Sequence, residues 1–151
     1  MFPTDEMVTY LGELGVNGPI NDRFNLARDI VVQLTSQDII DIFICDLAAA
    51  EGRVLQSAWF FTEDFVLEAK NFQFTLNVDI LGVNNNVEYL NVFPENYLLD
   101  DYANERSRLR CILTFSNGQN AELTATGSNC LSLSRVLRDR FLPHMTVGRP
   151  S

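Results

Sequence analysis

The most constraining feature of this sequence is a change of hydrophobic period at about residue 54. Before that point, apolar residues recur at three- and four-residue steps, which is typical of amphipathic helices. After it they alternate with period two, as in half-buried β-strands, and turn sequences such as Asn117-Gly118 separate the alternating segments. Consecutive short strands joined by hairpin turns exclude an alternating parallel α/β fold and predict an α+β fold.

The N-terminal third is predicted to be helical. One helix follows the capping residue Thr4 and ends at Gly15, and a second runs from a cap at Asp22 to about Leu34. Residues 38–47 are ambiguous, because their apolar residues suit either a helix or a short buried strand. We favour the strand, since the sequence that follows is β in character.

About six antiparallel strands and one C-terminal helix are expected to complete the domain. The helix starts after Asn129 and ends at Pro143, and its buried face is predicted to comprise Cys130, Leu133, Val136, Leu137 and Phe141. The predicted organisation is an N-terminal helical extension (1–37), an α+β domain (38–143) and a tail (144–151). Together they form a single compact domain with a strongly bent antiparallel sheet or incomplete β-barrel.

Charge is distributed unevenly along the chain. The net charge of −9 is the sum of −14 over residues 1–105 and +5 over residues 106–151. Nucleic acid is therefore not expected as a partner, because phosphate binding depends on Lys and Arg. Three scattered cysteines form no paired framework, which favours a reducing, cytoplasmic location.

The candidate binding residues are five arginines of this basic segment. Arg106, Arg108 and Arg110 alternate on a predicted strand, so their side chains should point to one face. Like charges in a row require nearby anions, either the chain's own (Asp100, Asp101 and Glu122) or those of a partner. Arg135 and Arg138, on the last helix, are expected to extend the same surface.

We predict no catalytic residue, no metal site and no cofactor. Cys45, Cys111 and Cys130 lie on apolar faces, where burial disfavours the reactive thiolate. His144 is the only histidine and should lie in solvent near the tail. An acidic segment (Glu95, Asp100, Asp101 and Glu105) lacks the spacing of a calcium-binding loop, so it is interpreted as solvated.

Two segments resemble bacterial pleckstrin-homology-like (PH-like) domains. AWFFTEDFVLEA is similar to their second and third strands, and RLRCILTFSNGQNAELTATGSNCLSLSRVLRDRF is similar to their closing hairpin and helix. The resemblance covers about residues 39–142 and implies a bent barrel closed by the helix. It also implies binding of phosphoinositides or of proteins. Lipid-binding members use a Lys/Arg cluster around the first hairpin, whereas residues 46–61 offer only Arg53, so no membrane lipid is expected.

These observations predict a non-enzymatic cytoplasmic protein-interaction module whose partner is another protein or a second copy of itself. An edge strand or the groove beside the last helix would provide the contact. The alternative is an acidic inhibitor or immunity-type protein that masks a basic enzyme, since high negative charge accelerates such association. An enzyme is not expected, because no nucleophile–base pair is present.

Overall fold

The fold is described from a computed structural model that covers residues 4–16, 18–49, 52–70, 77–83, 87–95 and 106–145. Its helices are α1 (Thr4–Glu13), α2 (Gly18–Thr35) and α3 (Asn129–Val136), and α3 continues into a π-helical turn (Leu137–Phe141) and a 3₁₀ turn (Leu142–His144). Its strands are β1 (Asp41–Ala49), β2 (Gly52–Phe61), β3 (Phe65–Lys70), β4 (Asn77–Val83), β5 (Val87–Glu95), β6 (Arg108–Phe115) and β7 (Asn120–Thr126). The predicted α+β class is confirmed.

The strands form two antiparallel sheets in which sequence neighbours pair. One sheet has four strands in the order β1-β2-β3-β4, and the other has three in the order β5-β6-β7. Strand β7 lies beside β1, where the backbone N–H of Thr126 donates a hydrogen bond to the Asp46 carboxylate. We expected one strongly bent sheet or an incomplete β-barrel; the described strands form two antiparallel sheets that are not closed into a barrel.

The ambiguous segment 38–47 is a strand from Asp41 onward, as we favoured. Its two faces pack against different layers: Phe43 and Cys45 face the second sheet, while Ile42 and Ile44 face the N-terminal helices. A strand buried on both sides is continuously apolar, which is why its hydrophobic period is uninformative.

Two apolar cores lie on opposite sides of the four-stranded sheet. The inner core joins this sheet to the three-stranded sheet and to α3; it includes Trp59, Phe61, Val66, Leu113, Phe115, Leu123, Leu133 and Phe141. The outer core joins the same sheet to α1 and α2; it includes Leu11, Phe24, Ala27, Val31, Phe60, Leu67 and Ala69. The predicted alternation of Trp59 and Phe61 with Ala58 and Phe60 is confirmed, because the two pairs belong to different cores.

The N-terminal helices are thus a structural layer that covers one face of the sheet. Helix α1 begins at Thr4 as predicted, and Gly15 follows it with a φ of 74°, a left-handed conformation that glycine adopts without strain. Helix α2 begins at Gly18, earlier than the predicted cap at Asp22. Its second residue is Pro19, whose fixed φ suits the first turn of a helix.

The C-terminal segment lies across the inner core. The five residues predicted for its buried face are all buried, and the π-helical turn brings Phe141 against the rings of Trp59 and Phe61, at centroid distances of 6.1 and 5.5 Å. Met145, within the segment that we assigned to the tail, forms an isolated parallel bridge with Val87. No helix among the described residues is long and apolar enough to cross a membrane.

The predicted turn at Asn117-Gly118 joins β6 to β7, and only its glycine has a positive φ. Gly118 has a φ of 89°, whereas Asn117 accepts the backbone N–H of Gln119 through its side-chain oxygen at 3.0 Å. The segments 71–76 and 84–86, which we assigned to a strand and a turn, lie outside the described residues.

Candidate functional site

Three of the five candidate arginines line one cleft of about 570 Å³ on the outer face of the three-stranded sheet. Arg108 and Arg110 point outward from β6 because Leu109, Cys111 and Leu113 occupy the alternate, buried positions. Arg106 lies in the turn that precedes the strand and lines the same cleft. The three arginines therefore line one cleft, although Arg106 lies in a turn and not on the strand that we predicted for it.

Neighbouring groups hold the guanidinium groups of Arg108 and Arg110 in the cleft. Nε of Arg110 lies 2.6 Å from Oε1 of Glu122, and its guanidinium carbon lies 5.1 Å from the centre of the Phe93 ring. Nη1 of Arg108 donates to the backbone oxygen of Ser107 at 2.9 Å. Glu122 is thus one of the nearby anions that the sequence required, whereas Asp100 and Asp101 lie outside the described residues.

The rim of the cleft is apolar at two places, and its floor contains a hydroxyl group. Leu47 of β1 and Phe93 of β5 both line it, with 39% and 42% of their surface exposed. Thr124 of β7 also lines the cleft, and its buried Oγ1 has no hydrogen-bond partner within the described part of the chain. Guanidinium groups beside exposed apolar side chains suit a ligand that has both carboxylates and apolar groups.

The other two candidate arginines do not extend this cleft. Arg135 lines a separate cleft of about 340 Å³ and binds Asp41, to which its Nη1 and Nη2 donate at 2.5 and 2.9 Å. Nε of Arg140 donates to the same carboxylate at 2.8 Å. Arg138 is exposed, and its Nε lies 2.9 Å from Oδ1 of the adjacent Asp139.

Arg135 therefore has a structural partner that the sequence did not indicate. Asp41 is only 1% exposed, and the two guanidinium groups satisfy its charge. Hydrogen bonding to Asp41 raises the pKa of Arg135 against the opposing effect of its partial burial. The pair joins the start of β1 to the C-terminal helix, and such a contact between distant residues has no local sequence signal.

A second buried carboxylate, that of Asp46, lies where the two sheets meet. Its Oδ1 accepts the backbone N–H of Thr126 at 3.1 Å and Nδ2 of Asn129 at 2.7 Å, and its Oδ2 accepts the Thr126 hydroxyl. The Tyr10 hydroxyl donates to Oδ1 of Asn129 at 2.9 Å, which connects α1 to this network. The single Asp within the apolar run IFICDL was a signal that sequence reasoning could have used.

The cysteines are buried, as predicted. Burial raises the pKa of the Cys45 and Cys111 thiols to about 12, and Sγ of Cys130 donates to the backbone oxygen of Ala125 at 3.5 Å. His144 is half-buried at the end of the 3₁₀ turn. No group of three or more potential metal ligands occurs among the described residues.

Comparison of the chain with protein-family models, with curated proteins and with solved structures found no match.

Proposed function

We propose that this chain is a non-enzymatic protein-interaction domain of PH-like fold, acting in the cytoplasm. The observation on which the proposal depends is the arginine cleft, where Arg106, Arg108 and Arg110 share one surface. Its partner is a protein segment that carries carboxylates and an apolar side chain. The carboxylates bind the guanidinium groups, and the apolar side chain packs on the rim formed by Leu47 and Phe93.

The order of elements supports the PH-like assignment. The segment that resembles the family's second and third strands spans β2 and β3, with Glu63 and Asp64 in the turn between them. The segment that resembles its closing unit spans β6, β7 and α3. In this assignment α3 closes the open end of the strands, and the buried Phe141 supports that role.

A protein partner fits the charge distribution better than a membrane. The whole chain carries a net charge of −9, which opposes approach to anionic lipids. The cleft itself contains Glu95 and Glu122 as well as its arginines. Because these charges partly cancel at a distance, the cleft favours a ligand whose charged groups match theirs at close range. Liposomes that contain phosphoinositides are therefore expected not to retain the protein at physiological salt.

Selection from a library of short random peptides tests the proposal. We expect the folded chain to enrich peptides with one or two carboxylates next to an aliphatic or aromatic residue. Arg106→Glu combined with Arg108→Glu should abolish their binding while the circular dichroism spectrum is unchanged. Arg138→Glu is the matched control, because Arg138 is an exposed arginine outside the cleft. Enrichment that persists in the double variant, or that Arg138→Glu removes equally, would contradict the proposal.

The alternative, an acidic inhibitor of a basic enzyme, draws support from the net charge of −14 over residues 1–105. In that case the contact is acidic, and exposed carboxylates such as Glu88 and Glu95 would contribute to it. Replacing both by Lys distinguishes the two functions. A loss of partner binding in this variant, with binding retained in the arginine variant, would favour the inhibitor.

A further inference from the structure

Strand β5 is an edge of the three-stranded sheet with unusual apolar exposure. Within the described residues its pairing consists of β6 on one side and, on the other, the isolated bridge between Val87 and Met145. Tyr89, Val92 and Phe93 are 58%, 41% and 42% exposed. Edge strands with exposed apolar residues accept an additional strand, because one row of backbone groups is available for hydrogen bonding.

We propose that this edge binds β5 of a second copy of the chain, antiparallel and centred on Asn91. The pairing with β6 shows which residues share a face: Tyr89 is opposite Thr114 and Phe93 is opposite Arg110, both on the outer face. Around a twofold axis at Asn91, Tyr89 of one copy lies opposite Phe93 of the other. This aromatic contact occurs twice in the dimer.

The same register also avoids contact between like charges. Glu88 and Glu95 flank the paired residues, and in this register they do not lie opposite each other. A shift by one residue would place Glu88 opposite Glu95 and would bring outer-face residues opposite inner-face ones. The distribution of charged and aromatic residues along β5 therefore selects the register at Asn91.

The bridge at Val87 sets the extent of the added pairing. Because Met145 occupies the free edge at Val87 and the register of β5 is irregular at Glu88, the second copy can add along residues 89–93, which are symmetric about Asn91. The proposal goes beyond the binding role of the arginine cleft, since it concerns the backbone edge of β5, although Phe93 belongs to both surfaces. A loss of peptide binding in the arginine variant would therefore neither support nor contradict the proposed dimer.

A cysteine placed on the twofold axis tests the register directly. Directly opposite residues of an antiparallel pair have Cα atoms about 4.5–5.5 Å apart, which is within the range of a disulfide. Under mild oxidation Asn91→Cys should form a covalent dimer on a non-reducing gel. The native cysteines do not interfere, because all three are buried. Tyr89→Cys alone should not cross-link, but a mixture of Tyr89→Cys and Phe93→Cys should.

Light scattering over a range of protein concentrations provides the second measurement. The wild-type chain should show a dimer that tightens as salt screens its net charge of −9. Tyr89→Lys should weaken the dimer about tenfold, because both symmetric aromatic contacts are lost. The control is Leu26→Lys on α2, where Leu26 is 52% exposed and lies on a different surface, and this variant should dimerise normally.

Three results would overturn the proposal. The first is a monomer at all concentrations without cross-linking of Asn91→Cys. The second is a dimer that Tyr89→Lys leaves unchanged. The third is a dimer that forms only after residues 146–151 are removed, which would assign the edge to the C-terminus of the same chain.

Discussion

Replacement of the buried Asp46 tests the polar network that joins the two sheets. In Asp46→Ala, the backbone N–H and the hydroxyl of Thr126 and one N–H of the Asn129 amide lose their acceptor in a buried site. Each unsatisfied buried donor costs about 1–3 kcal/mol, so we expect a loss of about 4 kcal/mol in the free energy of unfolding. Since domains of this size are stable by about 5–15 kcal/mol, this is a large fraction of the total.

Asp46→Asn is the informative comparison, because it keeps Oδ1 and removes the charge. Oδ1 can still accept from Thr126 and Asn129, and the Thr126 hydroxyl can reverse its role and accept from the new amide. We therefore expect a cost of about 1 kcal/mol for the asparagine variant. Urea unfolding followed by the fluorescence of Trp59, the fully buried single tryptophan, measures both variants.

A matched pair of threonines in β7 provides the control. Thr126 donates to Asp46 through its hydroxyl, whereas the equally buried hydroxyl of Thr124 has no partner within the described part of the chain. Thr126→Val should lower the free energy of unfolding by about 1.5 kcal/mol, whereas Thr124→Val should leave it unchanged or raise it. The reasoning is refuted if Asp46→Asn is as destabilising as Asp46→Ala, because the charge and not the hydrogen bonding would then be essential. Equal effects of the two threonine substitutions would refute it as well.

Three further predictions concern the thiols, the second buried carboxylate and the N-terminal layer. Because burial raises the pKa of Cys45 and Cys111 to about 12, their thiols are protonated at about pH 8, and a thiol reagent should label them only after denaturation; rapid labelling of the native protein would contradict their burial. Replacing both arginine partners of Asp41 by Met should lower the free energy of unfolding by about 3–5 kcal/mol, whereas Arg135→Met alone should lower it clearly less. Urea unfolding measures both variants, and additive effects of the single substitutions would show that the two arginines do not share one carboxylate. Removal of residues 1–37 uncovers the outer core and should give an insoluble chain; a soluble fragment with native strand content would contradict this expectation and favour an extension that is not needed for folding.

The sequence predicted the local structure better than the long-range contacts. Period-two alternation identified the faces of β2, β3 and β6, because successive side chains of a strand point to opposite faces of the sheet. The same reasoning placed Arg106, Arg108 and Arg110 on one surface. It failed for Arg135, whose partner Asp41 is 94 residues away and whose helical position alone suggested an exposed site.

The N-terminal helices were predicted, but their role was not. Their amphipathic stripes indicate that each helix packs against something, without indicating what. The uninterrupted apolar run AWFF at residues 58–61 was the complementary signal, since a strand with two buried faces requires a layer on each side. Only the pairing of these two observations shows that α1 and α2 cover the sheet.

The buried polar contacts have a consequence for the synthesis of the protein. Asp46 is separated from Thr126 by 80 residues, and Tyr10 from Asn129 by 119. While the chain emerges from the ribosome, the N-terminal half therefore contains an acidic side chain that cannot be buried, together with an apolar sheet face whose cover is still inside the exit tunnel. Folding of the four-stranded sheet therefore depends on α3, so the strands that precede this helix must be kept from aggregation until it has left the tunnel.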